Sequence, residues 1–127
     1  KEAKKKVKGL WNFPAGKVNF GEELFEAAKR ETKEETGYKC EITGLTGINF
    51  FYWDDMPGLT IRFNFLGEIT SKKSSPLAND VSETSWFSIK EIEEMDENNQ
   101  LRSKTTINQY KELKRGISFP KTIVSEI

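Results

Sequence analysis

Apolar and polar positions alternate with period two over residues 60–66. Ile61, Phe63 and Phe65 fall on one face, and Thr60, Arg62 and Asn64 on the other. Residues 40–53 are dense in β-branched and aromatic side chains and predict one or two strands. Asp54-Asp55-Met56-Pro57-Gly58 has turn chemistry, so the two runs together predict a hairpin. The period changes to 3.6 over residues 22–36. There Leu24, Ala27 and Ala28, with Phe25 beside them, form the apolar stripe of a predicted helix. Glu22 and Glu23 suit its positive N-terminal end, and Gly37 suits a left-handed C-cap.

Upstream, residues 10–13 predict a short strand stopped by Pro14 and turned at Gly16, after which Val18 and Phe20 alternate with polar residues. Downstream, residues 71–79 read as a polar loop and residues 82–87 as a strand. Ser88 and Glu91 have the spacing of a capping box that opens a helix through Met95. A loop over 96–100 leads to a last helix over 103–114, ended by Gly116. In the tail, Phe119, Ile123 and Val124 are expected to dock on the rest of the chain. There is no repeat or low-complexity segment, so residues 1–127 read as a single α/β domain.

Composition narrows the chemistry. Lys+Arg and Asp+Glu balance at 20 each, which argues against a partner held by bulk charge, whether nucleic acid or membrane. The basic run at Lys1, Lys4, Lys5, Lys6 and Lys8 reads as solvated. The single cysteine, Cys40, cannot form an intrachain disulfide; it reads as a small packed apolar residue and fits a reducing, cytoplasmic setting. The chain has no histidine, which removes Ser-His-Asp and Cys-His catalysis and every His-ligated zinc site. Acid–base work then falls to carboxylates, Lys, Tyr or metal-bound water. No apolar run is long enough for a membrane span, and no signal peptide is recognisable.

The strongest chemical signal is the acidic turn of the first helix. Glu31, Glu34 and Glu35 lie within one turn, and residues three and four apart share a helix face. Like charges so placed cost roughly 0.2–0.5 kcal/mol per pair. A divalent cation reverses that cost, since Mg²⁺ is anchored by one or two protein carboxylates. The same segment has a plainer reading: Glu26–Arg30 and Arg30–Glu34 are i,i+4 pairs of a solvated helix.

The spacing decides between them. Gly16, Glu22, Arg30, Glu31, Glu34, Glu35 and Gly37 fill every fixed position of a pattern that resembles the Nudix box, Gly-x5-Glu-x7-Arg-Glu-U-x-Glu-Glu-x-Gly-U; Thr32 and Tyr38 stand at the bulky U positions. With residue types near 6% abundance, such a match arises by chance about once in 10⁸ starting points. The likeness covers most of the chain, including Trp11-Asn12-Phe13-Pro14-Ala15-Gly16 before the box and Trp86-Phe87-Ser88 with Glu91-Ile92 after it. Leu101-Arg102-Ser103 and the last helix are most similar to the NudJ-type phosphatase branch.

The resemblance implies a Nudix α/β/α sandwich: a mixed sheet, a loop-helix-loop box on one side and the C-terminal helix on the other. It implies a metal-dependent hydrolase that cleaves a phosphoanhydride bond in a nucleoside di- or triphosphate or a related diphosphate, thiamine-type pyrophosphates included. The alternative it leaves open is a non-catalytic Nudix-fold sensor of a nucleotide or ADP-ribose. Mg²⁺ or Mn²⁺ would be held by Glu31, Glu34 and Glu35 with the Gly16 carbonyl. Arg30 would orient Glu31. Glu22 would sit at the edge of the metal site or hold a metal-bound water. Glu31, or an acid from a later loop (Asp80, with Glu83 as the other candidate), would deprotonate the attacking water.

Trp11, Phe13 and Trp53 are candidate rings for stacking on a heterocycle, with Tyr52 beside them, though aromatics at sheet positions also serve as core. Pro57 and Tyr52 stand out of register with the residues that mark ADP-ribose and diadenosine-polyphosphate hydrolases of the family, so neither substrate is indicated. The implied partner is a small nucleotide or diphosphate, and the implied state a monomer or homodimer. The family fold normally starts with two further strands. The resemblance therefore predicts about 20 residues upstream of Lys1, or pairing between chains to cover the open sheet edge.

Overall fold

The computed structural model describes residues 9–54, 56–73 and 78–125. The basic run over residues 1–8, Asp55 of the expected turn and residues 74–77 of the expected loop lie outside the described residues. Among the described residues three helices and three strands follow in the order α1 (Leu24–Thr36), β1 (Cys40–Trp53), β2 (Met56–Ile69), α2 (Ile89–Glu97), α3 (Lys104–Arg115) and β3 (Phe119–Pro120), with a 3₁₀ turn at Lys121–Ile123.

The hairpin forms as the alternation predicts. β1 and β2 pair antiparallel from Cys40↔Ile69 to Trp53↔Met56, so the expected five-residue turn shrinks and Met56, Pro57 and Gly58 join the strand. Irregularities at Ile42/Gly44, Leu45/Gly47 and Tyr52/Trp53 bend it. Successive strand residues face opposite sides, and the neighbours Asn64 and Phe65 show what each side meets. Asn64 Nδ2 donates to Glu112 of α3 at 2.8 Å, while the Phe65 ring packs edge-on against Phe25 of α1 with centroids 5.5 Å apart. The two helices therefore cover opposite faces of the sheet, which is the expected α/β/α sandwich.

The sheet itself differs in detail. Its regular strands run β2-β1-β3 and are all antiparallel. Among the described residues the parallel component is the bridge Trp11↔Leu101, held by Trp11 N to Gln100 O at 2.8 Å and Arg102 N to Trp11 O at 2.9 Å. Residues 10–13 thus make one bridge rather than a strand, and residues 82–87 run as irregular backbone rather than the expected strand. Among the described residues neither segment finds a continuous partner, and a strand exists only through its neighbour's hydrogen bonds.

The helix ends follow local chemistry. α1 is capped by the Glu23 side chain, which accepts from Glu26 N, and it stops at Gly37 with φ 79°. Ser88 and Glu91 make both bonds of the capping box, and α2 runs on to Glu97. α2 and α3 are joined by Tyr110 Oη to Asp96 at 3.0 Å and by the Lys114–Glu93 ion pair.

Among the described residues the buried apolar ones are Ala27, Cys40, Ile42, Leu45, Ile92 and Tyr110, and Asn64 and Thr106 are buried polar ones; Leu45 and Thr106 are the most completely enclosed. Ala27 alone of the predicted α1 stripe is buried; Leu24, Phe25 and Ala28 are half-buried. The tail docks through backbone, Leu45↔Phe119 and Gly44↔Pro120, and leaves the Phe119 and Ile123 side chains exposed rather than packed. Ile48, Phe50, Tyr52, Leu59 and Ile61, all on the α1 side of the hairpin beyond Phe63, are exposed as well.

Candidate functional site

The site is built from α1 and the segment that leads into it. Residues 15, 16 and 17 run along the helix, and each meets a different acidic or basic side chain. Ala15 N donates to Glu35 Oε2 at 2.8 Å. The Lys17 carbonyl accepts from Arg30 Nη2 at 3.0 Å. Between them Gly16 lies so close to Glu31 that a Cβ there would overlap the carboxylate, which is why this position takes glycine.

Arg30 is the hub. Its Nε and Nη2 donate to the two oxygens of Glu22 at 2.7 and 3.0 Å, a fork on a carboxylate eight residues away. Its Nη1 donates to Glu31 at 2.6 Å and to Glu34 at 3.2 Å. The Glu22 contact, then that to Glu31, pushes the guanidinium still further above its ordinary pKa. In return Arg30, helped by the Asn19 amide, holds the Glu22 carboxyl below its usual range. Glu31 is 19% exposed and Glu34 53% exposed, so the inner acid is fixed and the outer one faces water.

The three box carboxylates therefore share one end of α1 but turn to different partners: Glu31 and Glu34 to Arg30, Glu35 to the Ala15 amide. Among the described residues no three acidic or thiol groups form a preassembled metal cage. The donors are all hard carboxylate oxygens, the type that Mg²⁺ and Mn²⁺ take. The close approach of Gly16 brings the backbone next to the Glu31 carboxylate.

The later loop returns to this helix. Ala78 N donates to the Glu34 carbonyl at 2.9 Å, and Val81 N to the Ala78 carbonyl at 3.0 Å, so Asp80 sits on a turn anchored to the box. Glu83 and Lys73 line a cavity of about 550 Å³ together with Glu35. Trp11 and Phe13 line the same cavity, and Trp11 packs edge-on against Phe87 with centroids 4.7 Å apart. Trp53 does not join them. It lies near the hairpin tip, its Nε1 donating to Thr60 Oγ1 at 3.1 Å and its ring against Phe51 at 5.1 Å.

The alternation puts Arg62 and Asn64 on the polar face of β2 but not the network behind them. Glu112 of α3 accepts from Asn49 at 2.9 Å and from Asn64 at 2.8 Å, Asn64 also donates to Asn49 at 2.7 Å, and Gln109 donates to Asn64 at 3.0 Å. One signal was available: a strand predicted to be covered on both faces carries Thr60, Arg62 and Asn64 in a row, and such residues need partners.

The sequence matches the NUDIX domain model over residues 1–109. It is 36% identical over 93 residues to a nudix hydrolase of Caenorhabditis elegans, covering 72% of this chain and 24% of the relative. It is 34% identical over 89 residues to an 8-oxo-dGDP phosphatase of Mus musculus, covering 68% and 26%. The chain thus spans about a quarter of the length of these curated relatives. Among solved structures, a NUDIX hydrolase from Nitrosomonas europaea superposes with a TM-score of 0.80 at 28% identity, over 91% of this chain and 78% of that one.

Proposed function

This chain belongs to the Nudix family, and on that premise we propose that it is a metal-dependent hydrolase cleaving a phosphoanhydride bond of a nucleoside di- or triphosphate or a related diphosphate. The observation that supports this most is the Arg30 hub, which fixes Glu31 against Gly16 and leaves Glu34 open to solvent. Glu31, Glu34 and Glu35, with the Gly16 carbonyl, would hold Mg²⁺ or Mn²⁺. The cation would supply charge neutralisation on the phosphates and acidify a bound water.

The chain's own residues do the positioning. Arg30 orients Glu31, and Glu22 holds Arg30 from the far side. Glu31 would accept the proton of an attacking water, with Asp80 or Glu83 as the second candidate. Trp11 and Phe13, which share a cavity wall with Glu35, are the rings proposed to meet the organic part of the substrate.

An 8-oxo-purine nucleoside diphosphate belongs in the substrate panel because one relative is named for that activity. The test is phosphate and pyrophosphate release from nucleoside di- and triphosphates, ADP-ribose, dinucleoside polyphosphates and thiamine pyrophosphate, with Mg²⁺ and with chelator. Release from at least one compound, abolished by chelator, supports the proposal. Saturable nucleotide binding without release from any compound would favour a sensor instead.

A further inference from the structure

Residues 16–21 run over the surface. All six are exposed, Val18 and Phe20 included, so no buried side chain anchors this stretch. Its shape comes from the turn at its end. Glu22 N donates to the Asn19 carbonyl at 3.0 Å, and Asn19 N donates to Glu22 Oε2 at 2.9 Å. Phe20 and Gly21 are the two central residues of that turn. Gly21, the third of its four residues, has φ 78°. A positive φ at this place is what a type II turn requires, and it favours glycine. A Cβ on Gly21 would meet no atom within 4 Å. Position 21 is therefore restricted by backbone conformation alone, the reverse of Gly16.

The turn ends on the box. Glu22 Oε2, which accepts from Asn19, also accepts from Arg30 Nη2 at 3.0 Å, while Oε1 accepts from Arg30 Nε at 2.7 Å. The same guanidinium holds Glu31 at 2.6 Å. One chain of hydrogen bonds thus runs from the Asn19 amide through Glu22 and Arg30 to Glu31. A two-bond fork tolerates little displacement, because both donors must meet both oxygens at once. The place of the Glu22 backbone is set by the residue just before it. An L side chain at 21 disfavours the left-handed φ, and a turn rebuilt around a negative φ sends Glu22 elsewhere.

We propose that Gly21 is a positioning residue: its left-handed backbone sets Glu22 on Arg30, and through Arg30 it fixes Glu31. The effect on turnover rests on the hydrolase reading. The hold on Arg30 does not, and it is read in chelator-treated protein without substrate.

The experiment compares wild type with Gly21→Ala, Gly21→Asn and Gly21→D-Ala. The single cysteine gives access to the last, because a synthetic segment of residues 1–39 can be ligated at Cys40. The first readout is hydrogen exchange of the Arg30 Nε–H by nuclear magnetic resonance, assigned by its loss in Arg30→Lys. Gly21→Ala should speed that exchange at least about tenfold over wild type. Gly21→D-Ala adds the same methyl group with the hand that suits a positive φ, and should exchange as wild type does. Gly21→Asn should lie between, since Asn tolerates this conformation better than Ala. The second readout is steady-state kinetics on the best substrate. Gly21→Ala should lower kcat about tenfold at unchanged KM, and Gly21→D-Ala should restore it. Wild-type exchange and kcat in a folded Gly21→Ala, with only its melting temperature lowered, would show a purely structural turn and overturn the proposal. Equal defects in Gly21→Ala and Gly21→D-Ala overturn it too, because the hand of the residue then has no part. Exchange that follows that hand in a protein without turnover would refute the hydrolase reading and still uphold the hold on Arg30.

Discussion

Arg30 closes on Glu22 with two nitrogens against two oxygens, at 2.7 and 3.0 Å, and so ties the start of the box to the middle of its helix. The same guanidinium holds Glu31 at 2.6 Å. A lysine carries the charge but not the fork. Arg30→Lys is therefore expected to lower turnover about 10²-fold, the scale of losing one preorganised electrostatic group. Its melting temperature should fall below wild type. Steady-state kinetics and a thermal melt on the same sample check both.

Gly16 is restricted by space and not by backbone conformation, since its Cβ would collide with the Glu31 carboxylate. Gly16→Ala must displace either the leading segment or Glu31. Turnover should drop at least about tenfold, and Mn²⁺ affinity, read by electron paramagnetic resonance, should weaken with it.

Asn64 is 4% exposed and bonds Asn49, Glu112 and Gln109. Asn64→Leu fills the space but removes a donor from the Glu112 carboxylate. The expected loss is about 1–3 kcal/mol of stability, because the half-buried Glu112 carboxylate and the Gln109 amide each lose a partner. Urea unfolding measures it, and an unchanged midpoint would show the network to be dispensable.

The α2 cap gives a pH dependence with a definite sign. The Ser88 amide and then its hydroxyl hold the Glu91 carboxyl below its ordinary value. A depressed folded-state pKa contributes stability above the unfolded value, and that contribution is lost as pH falls through the folded one. Melting temperatures of wild type and Glu91→Ala should differ at neutral pH and converge in acid, as the pH falls through the lowered folded-state value of this carboxyl.

What the sequence disclosed tracks how local the cause is. The α1 C-cap at Gly37, the Ser88–Glu91 box and the Gly116 cap each depend on residues a few positions apart, and each appears as predicted. The hairpin was legible because its two strands adjoin in sequence. The strands expected over 10–13 and 82–87 were not realised, because their partners had to come from elsewhere in the chain. The box spacing was legible, but not the partners inside it: the Ala15–Glu35 bond spans 20 residues and belongs to the tertiary fold. The Glu112 network joins residues 48 to 66 positions apart, and no periodicity reports that.

The most direct measurement is the Mg²⁺ dependence of turnover by wild type and Glu34→Gln on the best nucleoside di- or triphosphate. Glu34 is the exposed box acid, held to Arg30 by one 3.2 Å bond, so its neutralisation should leave the fold within about 0.5 kcal/mol of wild type. The account predicts saturable Mg²⁺ activation of the wild type and, in a folded Glu34→Gln, turnover lower by about 10²-fold or more. Wild-type turnover by Glu34→Gln at every Mg²⁺ concentration, or equal turnover in chelator, would contradict it.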